Sequence, residues 1–462
     1  MLKVSELWTE ARQMSPLALP VSIGYLMQMS LGIASVVVLG RVGTTALAAM
    51  ALSTLFANVT AYSFIVGMAA AIDTLCSQAH GIAALGGGDR RDVGRHLNRT
   101  IFLLLVISLP ISVLWWFTEP LLLLVGQDED IAALSGVFTR YLIPSLVPFV
   151  ISECVKRFLM AQGIMQAQMI VIGIVAPVNA LLQYILVISP FKIGEQGIGA
   201  PIALTISHTL TALALCCYAI YVEGAEFYAG WEWNHVLDTK KLSCAAKLGF
   251  SGVLMTCSEW WAWEIVVLAA GIIGPTSLAA QTIVLNTNMI TYTLPLGFSI
   301  ACTTRIGNSL GASNPCHARV VAWAAVFMGI LLALANSSFL LAIRGSLGWL
   351  FSDDAHVVAL VQEIIPLAAL YQTADVLTCI AGGILRGAGR PEIGACLNLV
   401  GYYVLGIPIG LVLCFSAGLG LYGMWLGLTV ALFVVGVWEL YVISRLCWVT
   451  EAKNAHARSL CH

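Results

Sequence analysis

The sequence predicts an all-α integral membrane protein whose twelve transmembrane helices form two six-helix lobes, a parallel internal repeat. Three observations carry that prediction: composition, the number of long apolar runs, and a likeness between the two halves of the chain. Of 462 residues, 59% are hydrophobic and 10% charged, too few polar side chains to cover a soluble surface of that size. The formal net charge is −2, which offers no electrostatic basis for holding nucleic acid. That class of partner drops out.

A run of about 20 apolar residues spans the hydrocarbon core as a helix, and a helix satisfies its own backbone polar groups there. The first such run, 17–39, follows the polar, amphipathic "MLKVSELWTEARQM" and is long enough to anchor the chain without a cleavable signal. The next runs are 46–79 and 98–118, separated by the Gly-rich, basic "ALGGGDRR", which reads as a tight turn. "GQDEDI" precedes the fourth run, 131–151, and the first half closes with 164–188 and 198–222. The polar stretch 223–244, "EGAEFYAGWEWNHVLDTKKLSC", mixes acids, bases and aromatics and reads as a connector, part of it an interfacial amphipathic helix. The second half offers 247–273, 277–304, 319–343, 357–384, 392–416 and 420–446, with "SDDAH" before the tenth run and the turn "GILRGAGR" after it. The predicted organisation is a first lobe over 1–222, a connector over 223–246, a second lobe over 247–450 and a tail over 451–462.

Lys and Arg favour cytoplasmic loops. With the N-terminus inside, 18 of the 22 basic residues fall on the inner side, including Lys3, Arg90, Lys156, Arg157, Arg386 and Arg390. Arg41, Arg140, Lys192 and Arg344 make up the outer 4. Both termini are therefore expected in the cytoplasm, in a plasma membrane or a vacuolar or lysosomal one. The cysteines are scattered without paired or metal-ligand spacing, so neither a disulfide framework nor a metal site is expected.

The repeat lies in three pairs of segments in the same order. "VGTTALAA" at 42–49 returns as "IGPTSLAA" at 273–280. "GMAAAIDTLCSQAHG" at 67–81 returns as "GFSIACTTRIGNSLG" at 297–311, and "GIGAPIA" at 197 is echoed by "GLGLYGM" at 418. Parallel repeats of this kind are a transporter architecture, with a substrate site near the midplane.

The chemistry-bearing residues are acids inside spans. Glu259 and Glu264 lie in "SEWWAWEI" in the seventh run, and Asp375 lies in "YQTADVLTCIAGGIL" in the tenth. Holding an ionised carboxylate at the centre of a spanning helix costs roughly 2.5 to 3.5 kcal/mol, so such groups face protein or water. Burial disfavours the charged form, and a carboxyl that exchanges its proton near neutrality suits a proton-driven carrier. Five residues put Glu259 and Glu264 about 140° and 7.5 Å apart on the helix, so they address different partners. Glu264 is the deeper of the two and matches Asp375 in depth. The alternative is a hydrogen-bonding strut to Gln281, Asn286, Asn288 or Gln372. Trp260, Trp261 and Trp263 either pack or present indole faces to an organic cation, and Tyr292, Tyr402 and Tyr403 extend such a wall. Asp73 reads as structural, bonded locally to Thr74 or Gln78. Glu363 and Glu439 read as interfacial acids near helix ends, and His208 as a lone histidine bonded to a helix neighbour. No nucleophilic triad, phosphate loop or metal constellation emerges, so an enzyme is not expected.

The LAA junction motif, "GMAAAIDTLCSQAHG", "EWWAWEI", "LPLGFSIACTTRIGNSLGA" and "GGILRGAGRPEIGACLNLVGYYVLGIPIG" together resemble the multidrug and toxic compound extrusion (MATE) family, chiefly its eukaryotic branch. The resemblance covers essentially the whole chain. It implies two lobes arranged as a V and export of organic compounds in exchange for protons or sodium, with no bound cofactor. It also implies proton-linked acids at Glu264 and Asp375, with Glu259 contributing. Many bacterial relatives carry a coupling aspartate in the first helix, where this chain has Ser35. Mammalian-type members carry a glutamate in the eighth helix, where it has Asn286. The expected partners are small organic molecules and the lipid bilayer, with one chain sufficient. Gln281, Asn286, Tyr292, Trp261, Tyr402 and Gln28 are further candidates for contacting substrate. A sodium-coupled exporter and a lipid-linked oligosaccharide flippase of related fold are the rival readings. A flippase would need a basic cavity.

Overall fold

The structure, a computed structural model, describes residues 4–222, 225–228 and 230–460. Lys3, positions 223, 224 and 229 of the expected connector and positions 461 and 462 of the tail lie outside the described residues. Among the described residues, eleven helices are long and apolar enough to cross a membrane. They are α1 (Val4–Leu39), α2 (Thr44–Ala84), α3 (Asp92–Trp116), α4 (Glu129–Ala161), α5 (Ala167–Val187), α6 (Gly199–Tyr221), α7 (Thr239–Ile273), α9 (Pro315–Ile343), α10 (Ala355–Ala388), α11 (Pro391–Ser416) and α12 (Gly420–Arg445). The expected eighth run forms too, as α8 (Pro275–Gly311). Its Gln281, Thr287, Asn288 and Thr291 make it too polar to count by composition, and all four are buried against other helices. A helix enclosed by protein can carry polar groups that lipid would not accept.

The two halves repeat one another in backbone detail. Gly43 (φ 155°, ψ 165°) and Gly274 (φ 148°, ψ 171°) are aligned by the repeat, and each precedes the first turn of a long helix, α2 or α8. A β-carbon at either would touch nothing within 4 Å, so glycine is needed there for the backbone angle alone.

Small residues let the repeated segments cross. A β-carbon on Gly67 would strike the α7 backbone at Gly252 and Val253, whereas one on Gly297 would strike the α1 backbone at Ala18 and Ser22. One on Gly81 would meet the carbonyl of Asn308, and one on Gly311 that of Gln78. These are reciprocal contacts about one pseudo-two-fold axis, and they close this end of the molecule. Thr74 Oγ1 donates to the Arg386 carbonyl (2.6 Å) and Gln78 Nε2 to that of Gly387 (3.2 Å), tying α2 to α10. Far from the crossing, the apolar clusters stay within one half. Leu39, Met50, Phe138 and Val187 form one, and Ala270, Val361, Tyr371 and Trp425 belong to another.

Two expectations need correction, and the tail acquires a definite structure. The connector is not one amphipathic helix. Among the described residues it has a single α-helical turn, Trp233–Val236, before α7 begins at Thr239, and the segment folds back on α3, where Arg99 Nε donates to the His235 carbonyl (2.8 Å) and Asn98 Nδ2 to that of Gly230 (2.7 Å). The fourth run extends to Ala161, so Lys156 and Arg157 are buried in α4 rather than held in a loop. Most of the tail belongs to a final helix, α13 (Trp448–Leu460). Its Arg458 reaches Gln78 Oε1 (3.1 Å) and the Gly389 carbonyl (3.3 Å), lying across the closed end.

Candidate functional site

Two of the three predicted acids, Glu259 on α7 and Asp375 on α10, lie within one electrostatic neighbourhood. Helix α7 is started by Asp238, whose carboxylate accepts from the backbone amides of Lys240 (3.2 Å) and Lys241 (3.3 Å), an ordinary N-cap. Twenty-one residues on, Glu259 stands half-buried on this helix, and Asp375 on α10 is buried. The charge of Glu259 is felt at Asp375, and the Arg386 guanidinium is felt at Glu259. Tyr371, one turn before Asp375, directs its hydroxyl at Asp375 Oδ1 from 3.5 Å. Tyr402, contributed by the widened helical turn Val400–Gly406, interacts with Tyr371 and senses both acids. Tyr292 is half-buried beside Cys379 and within electrostatic reach of both carboxyls.

Glu264 sits apart. It is half-buried, and among the described residues it makes no ion pair or side-chain hydrogen bond. The pair that folding creates is thus Glu259 with Asp375, although depth along the sequence had matched Asp375 to Glu264. Helix rotation is the reason, since five residues turn Glu264 about 140° away from the face that Glu259 presents.

The three tryptophans diverge and form no common cage. Trp260 is 37% exposed. The Trp261 indole donates to the Val59 carbonyl (3.2 Å) and lies 5.9 Å from the Phe64 ring. Trp263 turns inward and meets Tyr371 (5.3 Å) and Trp425 (5.2 Å) in an aromatic trio. Trp425, absent from the sequence-based candidates, also donates to Gln281 Oε1 at 2.8 Å. Its signal was weak because it lies among apolar residues with no acid near it in the sequence. Asn286 is exposed on α8, and Tyr403 keeps a buried hydroxyl without a partner among the described residues. Nearby, Gln372 Nε2 donates to Thr291 Oγ1 (2.9 Å), and its own Oε1 and Asn288 Oδ1 are buried without a partner among the described residues.

Other candidates belong to separate networks. Gln28 Oε1 accepts from Gln168 (2.8 Å), and Ser35 Oγ accepts from Gln183 (2.6 Å), so both join α1 to α5. His208 meets rings rather than a helix neighbour, with Phe149 at 5.3 Å edge-on. Asp73 bonds neither to Thr74 nor to Gln78. Its carboxylate forms an ion pair with Arg157. Glu153 pairs with Lys156 (2.5 Å) and stands 3.9 Å from Arg157, and the Lys156 ammonium lies over the Tyr25 ring at 4.8 Å. The spacing Glu153, Lys156, Arg157 on one helix face was the available signal. Two acids balance two bases here, so this buried basic pair makes no basic cavity. Glu439, expected near an interface, is fully buried in α12.

Comparison with known proteins agrees with this architecture. The MatE family model matches residues 20–185 and 253–412. Protein DETOXIFICATION 17 of Arabidopsis thaliana is 34% identical over 460 residues, covering 99% of this chain and 94% of that protein. Multidrug and toxin extrusion protein 1 of Homo sapiens is 33% identical over 463 residues, covering 99% of this chain and 79% of its own length. The crystal structure of the eukaryotic MATE transporter AtDTX14 superposes with a TM-score of 0.90 at 28% identity, covering 98% of this chain and all of that one. The chain belongs to the MatE family, a multi-pass membrane transporter of the multidrug and toxin extrusion type and not an enzyme.

Proposed function

We propose that this transporter exports organic cations or amphiphilic organic molecules in exchange for protons by alternating access, with Glu259, Asp375 and Glu264 as its acidic set. The observation that carries this reading is the buried Asp375, held by Tyr371 and within the field of Glu259. Two carboxyls that sense each other's charge do not ionise independently, and the phenols around them accept or donate as the charge changes.

The cycle begins with the crossing of α2 and α8 shut and the opposite end open. Protons enter there and neutralise Glu259 and Asp375, which weakens their hold on a cation and releases it. With the other end open, the protons leave, the pair becomes anionic, and a cation is drawn in from the cytoplasm. Glu264, further along α7, helps attract the substrate. The lobes that rock are 1–222 and 247–450, joined by the connector 223–246 and followed by the tail 451–462. One chain supplies both, so a monomer suffices. Both termini face the cytoplasm, in the plasma membrane or a vacuolar or lysosomal one.

The test is uptake of a fluorescent organic cation into proteoliposomes under an imposed pH gradient, comparing wild type with Glu259→Gln, Glu264→Gln and Asp375→Asn at matched protein levels. Gradient-driven uptake lost with Asp375→Asn and with Glu259→Gln is the expected result. Uptake that survives Asp375→Asn refutes the assignment. Uptake that needs sodium instead of a pH gradient establishes the sodium-coupled alternative, for which carboxylates and carbonyl oxygens also serve.

A further inference from the structure

One buried carboxyl takes no part in the cycle above. Glu439 on α12 is 0% exposed, and neither carboxylate oxygen has a hydrogen-bond partner among the described residues. Three elements packed against it present groups to it. From α10 comes Arg386, whose charge reaches Glu439, and from α7 comes Glu259, whose charge does too. From α11 come Tyr402, which senses Glu439, and Gly394, where a β-carbon would stand 3.6 Å from Glu439 Oε1.

Arg386 makes no ion pair among the described residues, although two carboxyls lie within its field. Its Nη2 donates to Ser299 Oγ (3.2 Å), and its Nη1 rests 3.7 Å from Met255 Sδ. Met255 reaches the Glu439 side as well, because a β-carbon on Gly394 would stand 3.3 Å from the same sulfur. The thioether thus touches the guanidinium and lies on the same side of Gly394 as the carboxyl. Methionine is unbranched and flexible, and Met255 lies one helical turn before Glu259 on the same face of α7. A rotation or shift of α7 therefore moves Met255 and Glu259 together.

An ionised carboxylate with no donor and no contacting cation is costly in such a place, whereas one paired with Arg is not. The geometry points to Glu439 as a further proton-exchanging carboxyl of the transport cycle, one that keeps its proton while it stands unpaired with Arg386. When α7 moves, the proton leaves to water and the carboxylate pairs with the guanidinium. In the reverse step a proton returns and Arg386 is released to Ser299. This inference rests on the proton-coupled reading above, and its test separates the two.

Two measurements are made on the full chain in proteoliposomes: the infrared stretch of protonated carboxyl groups as pH is varied, and the pH profile of uptake of the fluorescent organic cation. Wild type, Glu439→Gln, Glu439→Asp and Asp375→Asn are compared. The expected result is loss of one component of the carboxyl band and of one limb of the pH profile in Glu439→Gln. Glu439→Asp keeps the titrating group and is expected to shift both readouts rather than remove them. It is the working variant should the glutamine protein fail to assemble. A carboxyl band and pH profile that match wild type in Glu439→Gln, or in Glu439→Asp if that is the variant that assembles, overturn the proposal and leave Glu439 a packing group. If Asp375→Asn transports normally while the Glu439 variants do not, the Glu259 and Asp375 reading fails and this one stands. If the Glu439 variants keep the wild-type profile while Asp375→Asn does not transport, the role given to Glu439 fails and the Glu259 and Asp375 reading stands.

Discussion

Replacing Asp73 by Asn removes one charge from the buried network of α2 and α4, where Glu153 is 4% exposed, Lys156 4% and Arg157 8%. The wild-type network is neutral, two acids against two bases, so Asp73→Asn leaves one uncompensated positive charge among helices. Breaking a buried pair by deleting one partner costs about 3 to 5 kcal/mol. Glu153 recovers part of this, because its Oε2 already stands 3.9 Å from Arg157 Nε. It is also committed to Lys156 at 2.5 Å, so the recovery is incomplete and the expected loss is about 3 kcal/mol, the lower end of that range. Removing the stranded charge as well, in Asp73→Asn with Arg157→Met, is expected to restore most of it. The assay is thermal unfolding in detergent for the four proteins of the cycle Asp73→Asn, Arg157→Met, both and neither. A single Asp73→Asn cost below about 1 kcal/mol, within the range of exposed pairs, would mean that water reaches the network and that the burial argument is wrong.

Other outcomes follow from the same geometry. Gly43→Ala and Gly274→Ala are expected to cost similar amounts, about 1 to 3 kcal/mol each, because the two backbones match and neither site is crowded; melting temperatures that differ widely between them would contradict the equivalence. Asp238→Ala should cost about 1 kcal/mol through loss of the N-cap of α7. The Lys241 and Lys240 amides hold the Asp238 carboxyl below its ordinary value, so its contribution is present above the unfolded-state carboxylate range and disappears as pH falls below about 4. A pH titration of stability that shows the wild-type and alanine proteins converging near neutrality would refute that assignment. Gly311→Leu should prevent the α2 and α8 crossing from closing, because the added side chain meets the Gln78 backbone. Cross-linking of cysteines introduced at Ser77 and Asn308 in an otherwise cysteine-free protein is expected to be lost, and retained cross-linking would show that the contact is not needed for closure.

The sequence by itself determined the class of protein, most helix positions and the repeat. Hydrocarbon forces every spanning backbone to bond within its own segment, so apolar length translates directly into helices such as 164–188, found as Ala167–Val187. The repeat was legible because Gly43 and Gly274 answer a local backbone demand that no other residue meets, and because the glycines of 67–81 and 297–311 admit a crossing helix. Tertiary structure alone decided which acids meet. Depth along the chain matched Glu264 to Asp375, whereas the rotation of α7 puts Asp375 within the field of Glu259. The same holds for Lys156, Arg157 and Asp73, which a charge tally treats as loop cations and a lone acid and folding joins in one neutral network. Glu439 read as an interfacial acid from its place near a helix end, and only the packing of α7, α10 and α11 around it made it an interior one. Ionic partners in a membrane protein are set by helix rotation and by the neighbours on the facing helix, and neither quantity is written in the hydropathy of a single segment.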